Sequence, residues 1–210
     1  MSKVLYIQSS PIKQISYSIK AADAFIEQYR IKNPEDEIVI LNVFDAQLPA
    51  FDGPAASAKY AIMHGKAHSQ EQKQIWKKIE SIIEQFTSAD KYVLAVAMWN
   101  FSIPYKLKQY IDILVQPGYT FTYSDQKGYQ GLVKGKPAAV FYARGGQYPK
   151  GSAFEPYDLQ SKYIELILRF IGFEDIQTIT IEPTLMAGEK TAQEKLRQAI
   201  EQAKELAANL

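Results

Sequence analysis

Cysteine is absent from this chain. Its absence removes disulfide frameworks, thiolate nucleophiles, iron–sulfur clusters and cysteine zinc sites. Histidine is scarce, with only His64 and His68, spaced like a helical metal pair. No glutamate follows His64 and no third ligand is evident, so both read as surface residues and no metal site is expected. Long apolar runs are missing as well: nothing approaches the ~20 residues that a membrane span needs. The apolar run over residues 4–7, behind Met1-Ser2-Lys3, is too short for a signal peptide and has no small-residue cleavage site. A soluble, cytoplasmic protein with no membrane partner is therefore expected. Net charge is almost nil, 24 lysines and arginines facing 23 acids for a formal +1. No global field draws nucleic acid, and none is expected as a partner. Neither a glycine-rich dinucleotide fingerprint nor a P-loop lysine occurs.

What is present is an ordinary globular composition, 47% hydrophobic and 22% charged over 210 residues, the size of a single α/β domain spanning 1–210. Val4-Leu5-Tyr6-Ile7 is continuously apolar, as in a strand buried on both faces. Ala21, Ala22, Phe25, Ile26 and Tyr29 then recur at helical spacing, before Asn33-Pro34. Residues 38–41 read as the second strand. Residues 44–68, with Pro49, Gly53, Pro54 and Gly65, make a long connection suited to a lid, a partner contact or a short helix. A helix over about 70–86 lines up Ile75, Ile79, Ile82, Ile83 and Phe86, with Trp76 as a core or partner residue. Residues 92–96 form the third strand. Ser102-Ile103-Pro104 reads as a helix start capped by Ser102 and running to about Val115. A polar, tyrosine-rich excursion occupies 119–136. Residues 138–142 and 176–181 are the fourth and fifth strands, with a helix over about 157–170 between them. A charged helix from about Thr191 closes the chain.

Strand and helix alternating five times imply a five-stranded parallel sheet in the order 2-1-3-4-5, covered on both faces: the flavodoxin-like three-layer sandwich of the α/β class. Ligands of such sheets sit outside the carboxyl ends of the strands, beside the point where strand order reverses. Three segments stand there. After strand one, the hydroxyls of Ser10, Ser16 and Ser18 can join a helix N-terminus around a phosphomonoester, or simply make turns and caps. After strand three, Met98, Trp99 and Phe101 offer surface to a flat heteroaromatic ring and Asn100 an amide to its polar edge; alternatively, these aromatics plug the end of the sheet. After strand four, Ala143-Arg144-Gly145-Gly146 lets backbone approach such a ring closely, or forms a plain turn with a surface arginine.

Further residues join these three segments into one pattern. They are the opening Met1-Ser2-Lys3-Val4-Leu5, the pair Ser9-Ser10, and Lys106-Leu107-Lys108-Gln109-Tyr110 with Asp112. To these add Gly118, Thr120-Phe121, Tyr123, Gly131-Leu132-Val133, Gly135-Lys136 and Phe170-Ile171-Gly172. In them, over nearly its whole length, the chain resembles the FMN-dependent NADH azoreductases, also called FMN-dependent NADH:quinone oxidoreductases. Met98-Trp99-Asn100-Phe101 is similar to that family's Met-Tyr-Asn-Phe flavin segment. The resemblance implies one non-covalent FMN per subunit, its phosphate held by Ser10, Ser16, Tyr17 and Ser18. Met98, Trp99, Asn100 and Phe101, with Ala143, Arg144, Gly145 and Gly146, would hold the isoalloxazine ring. It further implies a homodimer with the active site at the interface, Tyr123 walling the substrate cavity and Phe170 arriving from the second subunit. NADH or NADPH would deliver an electron pair as hydride in a ping-pong cycle, and quinones or azo compounds would accept it, the latter ending as aromatic amines. No side chain is expected as an obligatory nucleophile; Asn100 would polarise the flavin. Trp99 stands where the family has tyrosine, Ala143 where it has serine, and Pro11 and Pro149 where proline is not expected.

Competing readings are a flavodoxin-type FMN electron carrier and a general NAD(P)H:FMN reductase. The first wants an acidic face, which a net +1 does not supply. A phosphorelay receiver needs an acidic cluster after strand one, where Gln8-Ser9-Ser10 stands instead. An FAD-dependent quinone reductase would need an adenosine site, of which there is no sign.

Overall fold

Apolar runs that are continuous in sequence become the inner strands. The structure, a computed structural model, describes residues 1–67 and 69–208. Strands β1 (Lys3–Ser9) and β3 (Lys91–Ala97) are buried along nearly their whole length, as their unbroken apolar character requires. β2 (Glu37–Asn42) lies at one edge and is partly exposed. Between these strands come helices α1 (Tyr17–Lys32), α2 (Gly53–Met63) and α3 (Gln70–Thr87). After β3 follow α4 (Tyr105–Leu114) and the strands β4 (Phe121–Ser124), β5 (Gly128–Gly131) and β6 (Ala138–Ala143). Helix α5 (Leu159–Ile171), strand β7 (Ile176–Ile181) and helix α6 (Gly188–Ala207) complete the fold.

The main sheet has the order β2-β1-β3-β6-β7 with every pair parallel. Counting only its own strands, this is the expected 2-1-3-4-5. Alternate residues of each strand feed two cores. Leu5, Ile7, Leu94, Val96 and Val140 pack with Ile79, Ile83, Leu107, Ile111 and Leu168 on one face. Val4, Tyr6, Val93, Ala95 and Phe141 pack with Ile19, Phe25, Ile26, Ala199 and Ala203 on the other. Trp76 belongs to the first core and donates its indole N–H to the Tyr119 hydroxyl at 3.2 Å.

Several boundaries differ from the sequence expectation. The long 44–68 connection holds α2, begun by Asp52, whose carboxylate accepts from the Ala55 N–H, with Pro54 in the first turn. α3 starts at a reciprocal Ser69/Gln72 capping box. α5 begins at Leu159 rather than about Tyr157, because Glu155–Tyr157 form a separate 3-10 turn and Asp158 caps the helix through the Ser161 N–H. α6 begins three residues early, at Gly188. The Ser102 cap is overturned: α4 starts at Tyr105 behind Pro104, with no side-chain cap. Ser102 is engaged elsewhere, its backbone paired in both directions with Trp99. His64 ends α2, with Nδ1 2.7 Å from the Tyr60 carbonyl, while its expected companion His68 lies outside the described residues. Among the described residues, no group of three His, Cys, Asp or Glu could hold a metal ion, and no helix is long and apolar enough to cross a membrane.

The tyrosine-rich excursion is an antiparallel hairpin, β4 with β5, which docks where β5 leaves it. Val133 N–H reaches the Ile171 carbonyl at 2.8 Å. Gly131 meets Gly172, the left-handed C-cap of α5, so closely that a Cβ on Gly131 would fall 2.2 Å from the Gly172 nitrogen. Backbone cannot yield as a flexible side chain does. Gly131→Ala is therefore expected to destabilise the protein by about 3 kcal/mol, at the upper end of overpacking penalties. Thermal denaturation should show a Tm lower by roughly 6–12 °C. An unchanged Tm would refute the close crossing.

Candidate functional site

The register puts the carboxyl ends of the inner strands on one rim: Ser9 lies opposite Val96, and Ala97 opposite Ala143, on adjacent strands about 4.8 Å apart. The three segments chosen from sequence leave the sheet there side by side. Met98 N–H donates to the Ala143 carbonyl at 2.9 Å, tying the second to the third. A fourth segment, after β7, joins them. Thr184 N–H donates to the Arg144 carbonyl at 2.8 Å, and the N–H groups of Leu185 and Met186 both donate to the Gly145 carbonyl. Sequence reasoning missed this wall, although the strand-end rule covers β7 as well as the others.

After β1 the chain makes a short 3-10 turn, Lys13–Ile15, and enters α1 with Ser16 as the N-cap residue. The Ser16 hydroxyl caps no backbone N–H of its helix; it shares a 3.2 Å hydrogen bond with the Ser18 hydroxyl, and both residues are buried. The first turn of α1 holds no acidic residue. Uncommitted helix N–H groups with two hydroxyls beside them suit a phosphate group. Ser10 is buried in the same loop, with its carbonyl accepting from the Asn42 amide at 3.1 Å, and Tyr17 is half-buried next to Ser16. Lys13 pairs with Asp45, tying this loop to the segment after β2.

After β3 the backbone turns back within Trp99-Asn100-Phe101-Ser102. Two hydrogen bonds of 2.9 Å join Trp99 and Ser102, and both central residues are left-handed, Asn100 at φ +47° and Phe101 at φ +69°. Asparagine tolerates that region; a bulky residue there is strained by about 1–2 kcal/mol. The Phe101 carbonyl is further pinned by the Leu159 N–H at 3.0 Å. The turn lifts its aromatics away from the core: Trp99 is 37% and Phe101 47% exposed. They do not plug the sheet end.

Cavities lie on either side of this turn. One, about 440 Å³, is lined by Trp99, Asn100, Ser102, Tyr105, Lys108 and Tyr163, and burial with nearby Asp112 pushes the Tyr163 phenol up to about 12. The other, about 710 Å³, lies between Phe101, the Gly146-Gln147-Tyr148-Pro149 loop, Tyr157 and the Met186 segment. Gly146 lines it, and a Cβ there would come 3.1 Å from Met186 Sδ and 3.2 Å from the Tyr148 hydroxyl. Ala143 ends β6 beneath.

The Arg144 side chain lines neither cavity. It is 5% exposed and held by Asp158 at 2.9 Å, Glu182 at 3.3 Å and the Gln160 amide oxygen at 2.9 Å. Gln160 in turn donates to the Val96 carbonyl at 3.0 Å. The arginine thus clamps the ends of β3, β6 and β7 to the start of α5. Tyr123 and Phe170 line neither cavity within one chain. They belong to the hairpin's aromatic group, Phe170 4.9 Å from Phe121 and Tyr123 5.0 Å from Tyr129 between ring centres.

A family model described as flavodoxin-like fold matches residues 2–207. The FMN-dependent NADH:quinone oxidoreductase of Nitratidesulfovibrio vulgaris strain Hildenborough is 49% identical over 207 residues, 99% of each chain. The chain belongs to this family of FMN-dependent NADH:quinone oxidoreductases. Another family member, from Burkholderia lata, is 42% identical over 210 residues, again 99% of each chain. Among solved structures, an FMN-dependent NADH-azoreductase from Bacillus anthracis strain Ames Ancestor, in complex with FMN, superposes with a TM-score of 0.89 at 30% identity, covering 98% of both chains. Within the quinone oxidoreductase family, this chain sets tryptophan at position 99 and presents it at a tilt to Phe44 and Tyr105, with ring centres 5.6 and 6.3 Å away.

Proposed function

We propose that this chain binds FMN at the sheet rim and works as an NAD(P)H:quinone oxidoreductase with azoreductase activity. The observation that carries the reading is the left-handed Asn100-Phe101 turn, which accepts strain in order to hold aromatic surface in the open, between the serine loop and the Gly145-Gly146 loop. The residues fit the group. Ser10, Ser16, Tyr17 and Ser18, with the α1 N-terminus, would hold the phosphate. Met98, Trp99, Asn100 and Phe101 would bear on the ring, and the main chain of Ala143, Arg144, Gly145 and Gly146 would meet its polar edge; the lack of a side chain at Gly146 leaves room for Met186 and Tyr148 beside that loop.

When bound, the flavin supplies two-electron transfer between a nicotinamide donor and an acceptor. For a quinone, the sum is one NADH and one proton in, and NAD⁺ with hydroquinone out; an azo bond takes two such rounds. The protein's own part is positional. Asn100 would offer an amide to the ring, Arg144 fixes the loop backbone through Asp158 and Glu182, and the packed rings of Phe101, Tyr148 and Tyr157 would give the acceptor an apolar surface. Donor and acceptor would share one cavity in turn. Tyr123 and Phe170, exposed or half-exposed on the hairpin side, would complete that cavity across a homodimer interface in the cytoplasm. Purified protein should be yellow, and anaerobic NADH should bleach it within mixing time. A colourless protein that does not take up added FMN would overturn the proposal.

A further inference from the structure

The larger cavity at the rim says what the acceptor looks like. Within one protomer and among the described residues, Phe101, Tyr148, Phe154, Tyr157, Pro149 and Met186 make most of its wall, and no Lys, Arg, Asp or Glu lines it. Its polar groups are neutral: the Gln147 amide, the Ser152 hydroxyl and the two phenols. Lys150, in the same loop, is exposed and stands outside the lining. Underneath lies a cluster of two carboxylates and one guanidinium, Arg144 and Asp158 buried and Glu182 partly exposed. The Arg144 guanidinium lies 5.9 Å from the Tyr148 ring centre and is paired with both Asp158 and Glu182. Glu182 also accepts from the Tyr148 N–H at 3.4 Å and is followed directly by Pro183 of the cavity wall. These charges are satisfied within the cluster, and Lys195 borders the outer side of Glu182, so none of them is offered to the cavity. An anion entering here would lose water and find no cation in the wall to replace it. A flat neutral ring system would instead stack on Phe101, Tyr157 and the Met186 thioether, its carbonyl oxygens meeting phenol or amide donors.

We propose that this cavity selects uncharged, planar, fused-ring quinones and discriminates against anionic acceptors such as sulfonated quinones and dyes. The inference rests on the flavin reading above, since Phe101 and Gly146 are shared between the cavity and the ring-binding segments.

The test uses the FMN-loaded protein and a naphthoquinone with its monosulfonate. Each is titrated without NADH, and Kd is read from the perturbation of the flavin absorption band, so that binding is separated from turnover. The neutral quinone should bind at least tenfold tighter, and kcat/KM should follow. Gln147→Lys, which puts a cation on the wall, should shift the ratio of the two Kd values about tenfold toward the sulfonate. Equal affinities, tighter sulfonate binding, no measurable binding of either quinone, or an unmoved ratio in Gln147→Lys would each overturn the proposal. Failure of the flavin reading gives a different result, a protein whose band is missing or is not bleached by NADH.

Discussion

Replacing Ser16 by aspartate should strip the protein of its flavin while leaving the apoprotein as stable as before. Aspartate is as good an N-cap as serine, and a carboxylate at a helix N-terminus gains about 0.3–1 kcal/mol from the helix dipole. The apoprotein Tm should therefore hold or rise slightly. A phosphomonoester brought to the same helix end carries roughly −1.5 to −2 charges. At about 5 Å and an effective dielectric constant near 20, each pair of unit charges repels by about 3 kcal/mol. FMN affinity should fall by about 100-fold or more. Riboflavin, which lacks the phosphate, should bind both proteins alike. Fluorescence titration of apoprotein with each flavin checks this. A matching loss of riboflavin affinity, or a lower apoprotein Tm, would mean that Ser16 serves packing rather than anion recognition.

The second large effect concerns Arg144. Removing one partner from a buried ion-pair cluster strands the others, at about 3–5 kcal/mol. Arg144→Met leaves Asp158 and Glu182 without their cation inside the rim. Thermal unfolding should move down by roughly 10 °C. The accompanying Asp158→Asn and Glu182→Gln changes should recover most of the loss, because they remove the stranded charges. An asparagine side chain at position 158 can still cap α5, as the Asp158 carboxylate does through the Ser161 N–H. A triple variant no better than the single one would show that the arginine's packing on Tyr142 and Tyr148, rather than its charge, matters.

These two residues mark what can and cannot be read from sequence. The inner strands announce themselves by unbroken apolar runs, and with helices between them the sheet order and the rim follow. The serine loop is legible for the same reason, since its place after the first strand is fixed by topology. The Trp99-Ser102 turn is not. Two-residue reversals of this kind normally carry glycine, and Asn100-Phe101 has none, so Ser102 reads as a helix cap. Arg144 beside two glycines resembles a ligand contact. Its partners stand 14 and 38 positions further on, and only folding brings them together. The 119–136 stretch conceals a hairpin because its aromatic residues are partly exposed and pack among themselves and on Phe170 rather than on the sheet.

That hairpin forms a sheet of its own, β4 with β5 alone, joined to the rest chiefly at the Gly131–Gly172 crossing and the α5 face. Its pairing contributes nothing to the order of the five main strands. Replacing the exposed side chains of Tyr123, Tyr129 or Leu132 should therefore carry little penalty to folding, so long as the glycine crossing is kept. The hairpin is in this sense an appendage whose surface can be altered without disturbing the scaffold that carries it.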